Sequence, residues 1–127
     1  MKWLVVAVAV VVVMLASVVP LSGFMVRKGL ENPGKSWAPG LTQKGARLRM
    51  IFGNYEGAAL IWERAANTWP QHPDCAKMVY RVGFCYEQAK KPTQALAWYN
   101  RYLSIYPQHM WAEQARRRVQ NLTGGES

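Results

Sequence analysis

The hydrophobic positions divide the chain into two regions of different character. Residues 3–19 contain no charged side chain and are mostly valine, whereas from Arg27 onward apolar and polar residues alternate as in a soluble domain. A helix needs about 20 apolar residues to cross the hydrocarbon core of a bilayer, and residues 3–26 exceed that length. The pattern therefore predicts a transmembrane anchor within residues 1–28, followed by a separate folded domain.

The second region has helical periodicity and no competing strand pattern. Asp74 and Thr93 stand at positions typical of helix N-caps. The sequence therefore predicts an all-α protein in which the anchor precedes a helical domain at residues 41–122. The predicted helices of this domain cover approximately residues 41–52, 55–69, 75–89, 94–106 and 110–122.

Two segments are predicted to lack helix. Residues 29–40 contain two prolines and three glycines, which forbid a continuous helix and indicate a linker. Residues 123–127 are predicted to be a flexible tail, because short polar termini fray unless they dock.

The apolar N-terminal segment admits two interpretations. It begins with Lys2, as a signal peptide does, but it has no convincing Ala-x-Ala cleavage site; a cleavage ending at Gly23 is the alternative. A retained anchor is favoured, because Trp3 and Phe24 stand where the two membrane interfaces would lie.

The chain is strongly basic. Sixteen lysine and arginine residues against seven acidic residues give a net charge of +9, which favours acidic protein faces, anionic lipid or nucleic acid as partners. Arg116, Arg117 and Arg118 are predicted to form a basic docking face. Arg27 and Lys28 follow the apolar run and place the domain in the cytoplasm by the positive-inside rule, whereas a signal-like start favours the opposite side.

A four-residue pattern recurs along the helical region. Trp69-Pro70-Gln71-His72 returns as Tyr106-Pro107-Gln108-His109, 37 positions later, and Ala58 and Trp62 align with Ala95 and Tyr99 at the same offset. A fixed period of this size is typical of stacked supersecondary units that bury their apolar faces against one another. Such proteins are built around a surface, which favours holding a partner over turning over a substrate.

These residues resemble the tetratricopeptide repeat, a helix pair with small residues at the crossing and a closing proline. The second unit matches through Gly83, Tyr86, Ala95, Tyr99 and Pro107, whereas Tyr102 replaces a small residue. The first unit matches through residues 53–56, Ala58, Trp62, Ala65 and Pro70, and departs at Gly45-Ala46 and Arg49. The resemblance implies a short α-solenoid of two helix pairs, with residues 110–122 as a capping helix. The period, longer than the usual length of about 34 residues, is similar to that of modules in bacterial envelope proteins.

The resemblance also implies a groove along the inner helices that binds a partner peptide. Aromatic side chains flanked by cations suit an acidic or aromatic segment, although packing against neighbouring helices is the alternative role for Tyr80 and Phe84. The expected groove residues are Gln43, Arg47, Met50, Lys77, Tyr80, Phe84, Glu87 and Gln88.

The sequence proposes no catalytic residue, metal site or cofactor. His72 and His109 recur with the period next to a turn proline, where polar capping of the turn explains both, and no acidic residue in the pattern completes a triad or a set of ligands. Cys75 and Cys85 would lie about 15 Å apart on one helix, too far for a disulfide. Nucleic-acid binding is not favoured, because the chain has no recognisable nucleic-acid module and carries an anchor.

Two functions remain after these exclusions. The first is a membrane-anchored protein–protein interaction scaffold, an accessory or assembly subunit whose partners are other subunits of a membrane complex, with anionic lipid as a further contact. The second is a secreted periplasmic peptide-binding module with its signal peptide removed. An enzyme is a third possibility for which the sequence proposes no reaction.

Overall fold

This computed structural model describes residues 1–124, apart from the side chains of residues 18 and 19. Every regular element within that range is an α-helix, as the sequence predicts. The helices are α1 (Lys2–Glu31), α2 (Ala38–Ile51), α3 (Tyr55–Thr68), α4 (Cys75–Gln88), α5 (Pro92–Ile105) and α6 (Ala112–Gly124).

The N-terminal helix is long and apolar enough to cross a membrane. It has 30 residues, and none of its most apolar stretch is buried in the protein. Pro20 lies inside the helix and does not end it. Helix α1 therefore continues past the predicted end of the anchor.

The predicted linker at residues 29–40 is shorter in the structure. Residues 29–31 belong to α1 and residues 38–40 belong to α2, so only residues 32–37 connect the two helices. Pro39 fits in the first turn of α2, where a helix has no partner for the missing N–H. Three of the glycines and prolines that indicated a break thus lie in helix ends.

The last third of α1 packs along α2. The buried Ser22 hydroxyl donates a hydrogen bond to the carbonyl oxygen of Gly45 at 3.0 Å and accepts one from Nε of Arg49 at 3.1 Å. At the other end, a Cβ on Gly29 would lie 2.9 Å from the carbonyl oxygen of Ala38. Because late residues of α1 meet early residues of α2, the two helices run antiparallel. Helix α1 is therefore also the first helix of the folded domain.

Each later helix packs against the one before it, and the main hydrophobic core lies among α3, α4 and α5. Trp62, Tyr99 and Tyr102 are the largest fully buried side chains there. Gly83 lets α4 approach α5, because a Cβ at this position would lie 2.9 Å from the ring of Tyr99. The close approach predicted at Gly83 is confirmed.

The helix starts differ from the predicted caps. Asp74 stands before α4 but its side chain makes no capping hydrogen bond. Helix α5 starts at Pro92 after Lys91, so Thr93 lies in the first turn and does not cap it. Asn54, which was not predicted as a cap, accepts the backbone N–H of Gly57 at 3.1 Å at the start of α3.

The two recurring histidines cap equivalent turns, as predicted. The backbone N–H of Asp74 donates to Nδ1 of His72 at 3.0 Å, and that of Trp111 donates to Nδ1 of His109 at 3.3 Å. In each turn the histidine ring accepts the backbone N–H of the residue two positions after it. That N–H lies at a helix start, where the helix itself supplies no acceptor.

The C-terminal helix begins and ends two residues later than expected, at Ala112 and Gly124. Thr123 and Gly124 of the predicted flexible tail belong to α6, and the Thr123 hydroxyl donates to the carbonyl oxygen of Val119 at 2.9 Å. Residues 125–127, the rest of that tail, lie outside the described residues.

Candidate functional site

Part of the predicted groove is filled by packing. Tyr80 is 5% exposed and lies among the rings of two tyrosines and of Trp111, whose centroid is 5.1 Å away. Phe84 is half-buried, meets Tyr55 edge to face and lies under the guanidinium of Arg118 at 5.1 Å. The alternative role, packing against neighbouring helices, is the one that these two side chains have.

Helix α6 closes the same part of the groove through Arg118. Its Nε donates to the hydroxyl of Tyr80 at 2.9 Å, and its Nη1 lies 3.1 Å from Oε1 of Glu87. The same carboxylate oxygen accepts the hydroxyl of Tyr99 at 2.7 Å. Glu87 is thus satisfied by side chains of its own protein, and it is not available to a partner in this arrangement.

The three predicted groove residues of α2 point in different directions. Gln43 is buried, and its Nε2 donates to the carboxylate of Asp74 at 3.2 Å. Met50 is half-buried, and its sulfur accepts Nε1 of Trp62 at 3.2 Å. Only Arg47 is exposed, so α2 contributes one side chain that can reach a partner.

Two cations do converge on Trp111, the residue before α6. The ammonium of Lys77 lies 5.5 Å from the centre of the indole ring, and the guanidinium of Arg81 lies 5.3 Å from it. Arg81 also stacks on Trp62 at 4.9 Å, and it is close enough to Arg47 to feel its charge. We name Arg47, Lys77, Arg81 and Trp111 the cationic cluster.

The positive charge of the cationic cluster is incompletely neutralised. Burial lowers the pKa of Arg81, and the like charge of Arg47 lowers it further, against a smaller opposing effect of Asp74. Within residues 1–124, the buried Nη1 of Arg81 and Oε1 of Gln43 have no hydrogen-bond partner. Unpaired buried polar atoms are costly, so the interior around Arg81 is not fully satisfied in this arrangement.

The remaining predicted residues lie apart from the cationic cluster. Gln88 is exposed at the last residue of α4. Arg116 pairs with Glu113 at 3.2 Å and also donates to the carbonyl oxygen of Pro107. Arg117 is exposed, whereas Arg118 points into the protein, so the three arginines do not form one docking face.

Two members of the cationic cluster were not among the predicted groove residues. Arg81 aligns with Arg118 at the 37-residue offset. Both guanidinium groups stack on an aromatic ring, that of Arg81 on Trp111 and that of Arg118 on Phe84. That equivalence was a usable signal for an inward-facing position. Trp111 gave no such signal of an inward-facing position, because residues 110–122 were predicted only as a capping helix, with no part in the groove.

The described residues offer no obvious chemistry of other kinds. Within residues 1–124, no three His, Cys, Asp or Glu side chains are arranged so as to hold a metal ion. Cys75 and Cys85 are free, buried thiols on α4. Burial raises the pKa of Cys85 to about 12, with Arg81 opposing the shift, so this thiol is protonated at neutral pH.

No family model matches the chain, and no curated protein matches it significantly. The resemblance to the tetratricopeptide repeat therefore depends on the residues of this chain, and the functional argument depends on its geometry.

Proposed function

We propose that this protein is a membrane-anchored scaffold that binds an acidic segment of another subunit of a membrane complex. The observation that carries the proposal is the placement of Lys77 and Arg81 over the ring of Trp111, with the exposed Arg47 near enough to Arg81 to act on its charge. Carboxylates supply both the negative charge and the acceptors that this arrangement lacks. An aromatic ring beside arginines is also typical of residues that dominate interface energies.

The helical domain is proposed to be a short tetratricopeptide-like solenoid. Two observations support it: each helix packs on its predecessor, and the His72 turn recurs at His109 with the same capping contact. The close approach at Gly83 agrees with the small residue that the family places at a helix crossing. In such a solenoid α2, α4 and α6 form the inner layer, which is the layer that carries the cationic cluster.

The anchor is proposed to be retained in the mature protein. Cleavage after Gly23 would remove Ser22, whose buried hydroxyl joins the backbone of Gly45 to the side chain of Arg49. It would also shorten the helix that covers α2. A removable signal peptide has no reason to contribute buried contacts to the mature domain.

The domain is proposed to lie on the cytoplasmic side, because Arg27, Lys28 and the basic residues of α2 gather where α1 leaves the apolar stretch. A Gln108→Cys variant tests this, since residue 108 is exposed and both native thiols are buried. An impermeant maleimide added to intact cells should leave the variant unlabelled until the membrane is opened. Labelling of intact cells would place the domain outside, as the periplasmic alternative requires.

Site-specific photo-crosslinking in native membranes tests the binding surface. A photoreactive residue at position 47, beside the cationic cluster, should give a discrete crosslinked product with another subunit. The same residue at position 104, which is exposed on α5, serves as the matched control and should give none. Equal products from both positions, or none from position 47, would argue against this surface.

A further inference from the structure

A cleft lies where the anchor helix enters the folded domain. It has a volume of about 570 Å³ and is bounded by the last third of α1, the end of α2 and the middle of α3. Its lining combines apolar side chains with one acidic and three basic side chains. The lining residues are Gly23, Val26, Arg27, Leu30, Glu31, Arg49, Leu60, Ile61 and Arg64. We name this the juxtamembrane cleft; it shares no residue with the cationic cluster.

The packing of α1 fixes the height of the juxtamembrane cleft above the membrane. Ser22 is buried against α2, so the span ends before it, and Trp3–Leu21 gives about 28 Å of helix at 1.5 Å per residue. That length matches a hydrocarbon core of about 30 Å. Gly23 and Arg27 then stand just above the core, at the level of the lipid headgroups.

A second feature places the same end of the domain at the membrane. Because α2 runs antiparallel to α1, its last residues return to the level at which the span ends. Ile51 is 73% exposed and Phe52 is 49% exposed there. Large apolar side chains exposed at this height suit the boundary between headgroups and acyl chains.

We propose that the juxtamembrane cleft binds the phosphate headgroup of an anionic glycerophospholipid from the surrounding membrane. Arg27, Arg49 and Arg64 against Glu31 leave a net charge of +2 in the lining. Guanidinium groups bind phosphate oxygens through paired N–H donors, which makes arginine suited to this ligand. Arg49 is held in place by its hydrogen bond to Ser22, so one donor group is already oriented.

The apolar lining residues of the juxtamembrane cleft favour binding of a lipid over binding of a free phosphate ester. Val26, Leu30 and Leu60 offer surface that a glycerol backbone and the first acyl carbons would cover. Clefts of about 300–1,000 Å³ that combine apolar walls with a few polar groups are typical of small-ligand sites. The bound lipid would join α1 to α3, two helices that otherwise meet in few places.

Native mass spectrometry of the full chain released from detergent micelles tests the proposal. The micelles contain dioleoylphosphatidylglycerol and dioleoylphosphatidylcholine in equal amounts. The wild-type chain should retain one phosphatidylglycerol in preference to phosphatidylcholine. The double variant Arg27→Gln/Arg64→Gln should retain it at least roughly tenfold less, because two charge-assisted contacts to the phosphate are lost.

The matched control is Lys28→Gln/Lys44→Gln, which removes the same charge from exposed positions beside the span but outside the juxtamembrane cleft. It should retain the lipid within about twofold of the wild type. Equal losses in both double variants would mean general electrostatic attraction, and no loss in either would mean no site; both results overturn the proposal. Displacement of the lipid by free glycerol 3-phosphate would overturn the preference for a lipid.

Discussion

Single residues decide how closely the helices approach, and Gly83 is the case in the main core. A methyl group at this position would meet the fully buried ring of Tyr99 at 2.9 Å, and that ring is held by the hydrogen bond from its hydroxyl to Glu87. The ring cannot move aside without breaking this contact. Close helix packing in this region therefore depends on the absence of a side chain at residue 83.

The first prediction concerns Gly83→Ala. Overpacking costs about 1–3 kcal/mol and alanine gains about 1 kcal/mol in helix propensity, so the free energy of unfolding should fall by about 1 kcal/mol. Gly40→Ala is the control, because a Cβ there meets nothing within 4 Å. Urea unfolding of the full chain in detergent, followed by circular dichroism, measures both. A Gly83→Ala variant as stable as the Gly40→Ala variant would contradict the packing.

The second prediction concerns the pH dependence due to His109. Its Nδ1 lies 2.6 Å from the hydroxyl of Tyr102, which can donate or accept, and it accepts the backbone N–H of Trp111, a contact that a protonated ring would lose. Burial, and then the charge of Lys77, lower the pKa of His109 from its ordinary value of 6.5. The unfolded chain then binds the proton more readily, so the contribution to stability is complete above pH 6.5 and declines as the pH falls below it.

Comparison with His109→Gln isolates this effect from the titration of carboxylates. The difference in the free energy of unfolding between wild type and variant should be larger at pH 7.5 than at pH 5.5. Urea unfolding at the two pH values measures it. A difference that grows as the pH falls would have the wrong sign and would refute the assigned role of Nδ1.

At the scale of helices, α6 docks on α4 through an inward-facing arginine. Arg118 contacts Tyr80, Phe84 and Glu87, whereas the neighbouring Arg117 is exposed. The two residues are therefore a matched pair with the same chemistry and different surroundings. The run of three arginines does not by itself show this difference, because helical rotation separates neighbours by about 100°; only the equivalence of Arg118 with Arg81 indicated which one faces inward.

The third prediction is that Arg118→Ala destabilises the domain and Arg117→Ala does not. Removing Arg118 leaves Tyr99 as the donor to the half-buried Glu87, and the free energy of unfolding should fall by about 1–3 kcal/mol. An exposed substitution changes stability by less than about 0.5 kcal/mol. Unfolding in urea distinguishes the two variants. Equal stabilities would mean that α6 does not dock through Arg118.

The fourth prediction concerns the packing of α1 on α2. A Cβ at Gly45 would lie 2.6 Å from a methyl group of Val26 and 3.2 Å from the carbonyl oxygen of Ser22. Gly45→Leu should therefore push the two helices apart. Trypsin cleavage after Arg27 or Lys28, which requires α1 to leave α2 and unwind, should become roughly tenfold faster.

Gly40→Leu is the control for this experiment, because a Cβ at residue 40 meets nothing within 4 Å. It should be cleaved at the wild-type rate in the same detergent. Unchanged cleavage of Gly45→Leu would indicate a flexible connection, which the sequence suggested for residues 29–40.

The sequence predicted the type of each helix more accurately than its ends. Periodicity identifies helices because apolar residues must share one face, and the recurrence of His72 at His109 correctly indicated equivalent turns. The continuation of α1 to Glu31 was not predictable from local rules, because Gly29 reads as a breaker until α2 is seen against it. Glycine weakens a helix, but at Gly29 the packing of α1 on α2 offsets this effect. The sequence of α1 alone does not reveal that packing.

At the scale of the whole molecule, the candidate site was only partly predictable. Arg47 and Lys77 of the predicted groove belong to the cationic cluster, whereas Tyr80, Phe84 and Glu87 are engaged by α6 or by the aromatic core. A repeat alignment places residues on a face but does not say whether the next helix fills it. Trp111, whose ring contacts Lys77 and Arg81, directly precedes that next helix.

Helix α1 and the helices that carry the cationic cluster pack in one continuous series. If α1 spans a membrane, as we propose, its packing on α2 makes the height and tilt of the cationic cluster follow those of the span. A scaffold of this kind presents its partner site at a set distance from the bilayer and loses little conformational entropy on binding. This favours a partner in the same membrane over one that diffuses freely.

Native mass measurement of the full chain released from membranes by mild detergent tests this account most directly. The account predicts the intact 14.4 kDa chain, with its N-terminal helix, in a complex with another subunit. The complex should be lost in Arg47→Glu/Lys77→Glu and kept in Lys35→Glu/Arg101→Glu, which reverses the same charge at exposed positions away from the cationic cluster. Recovery of the wild-type chain alone, or of a chain that begins near Phe24, would contradict it.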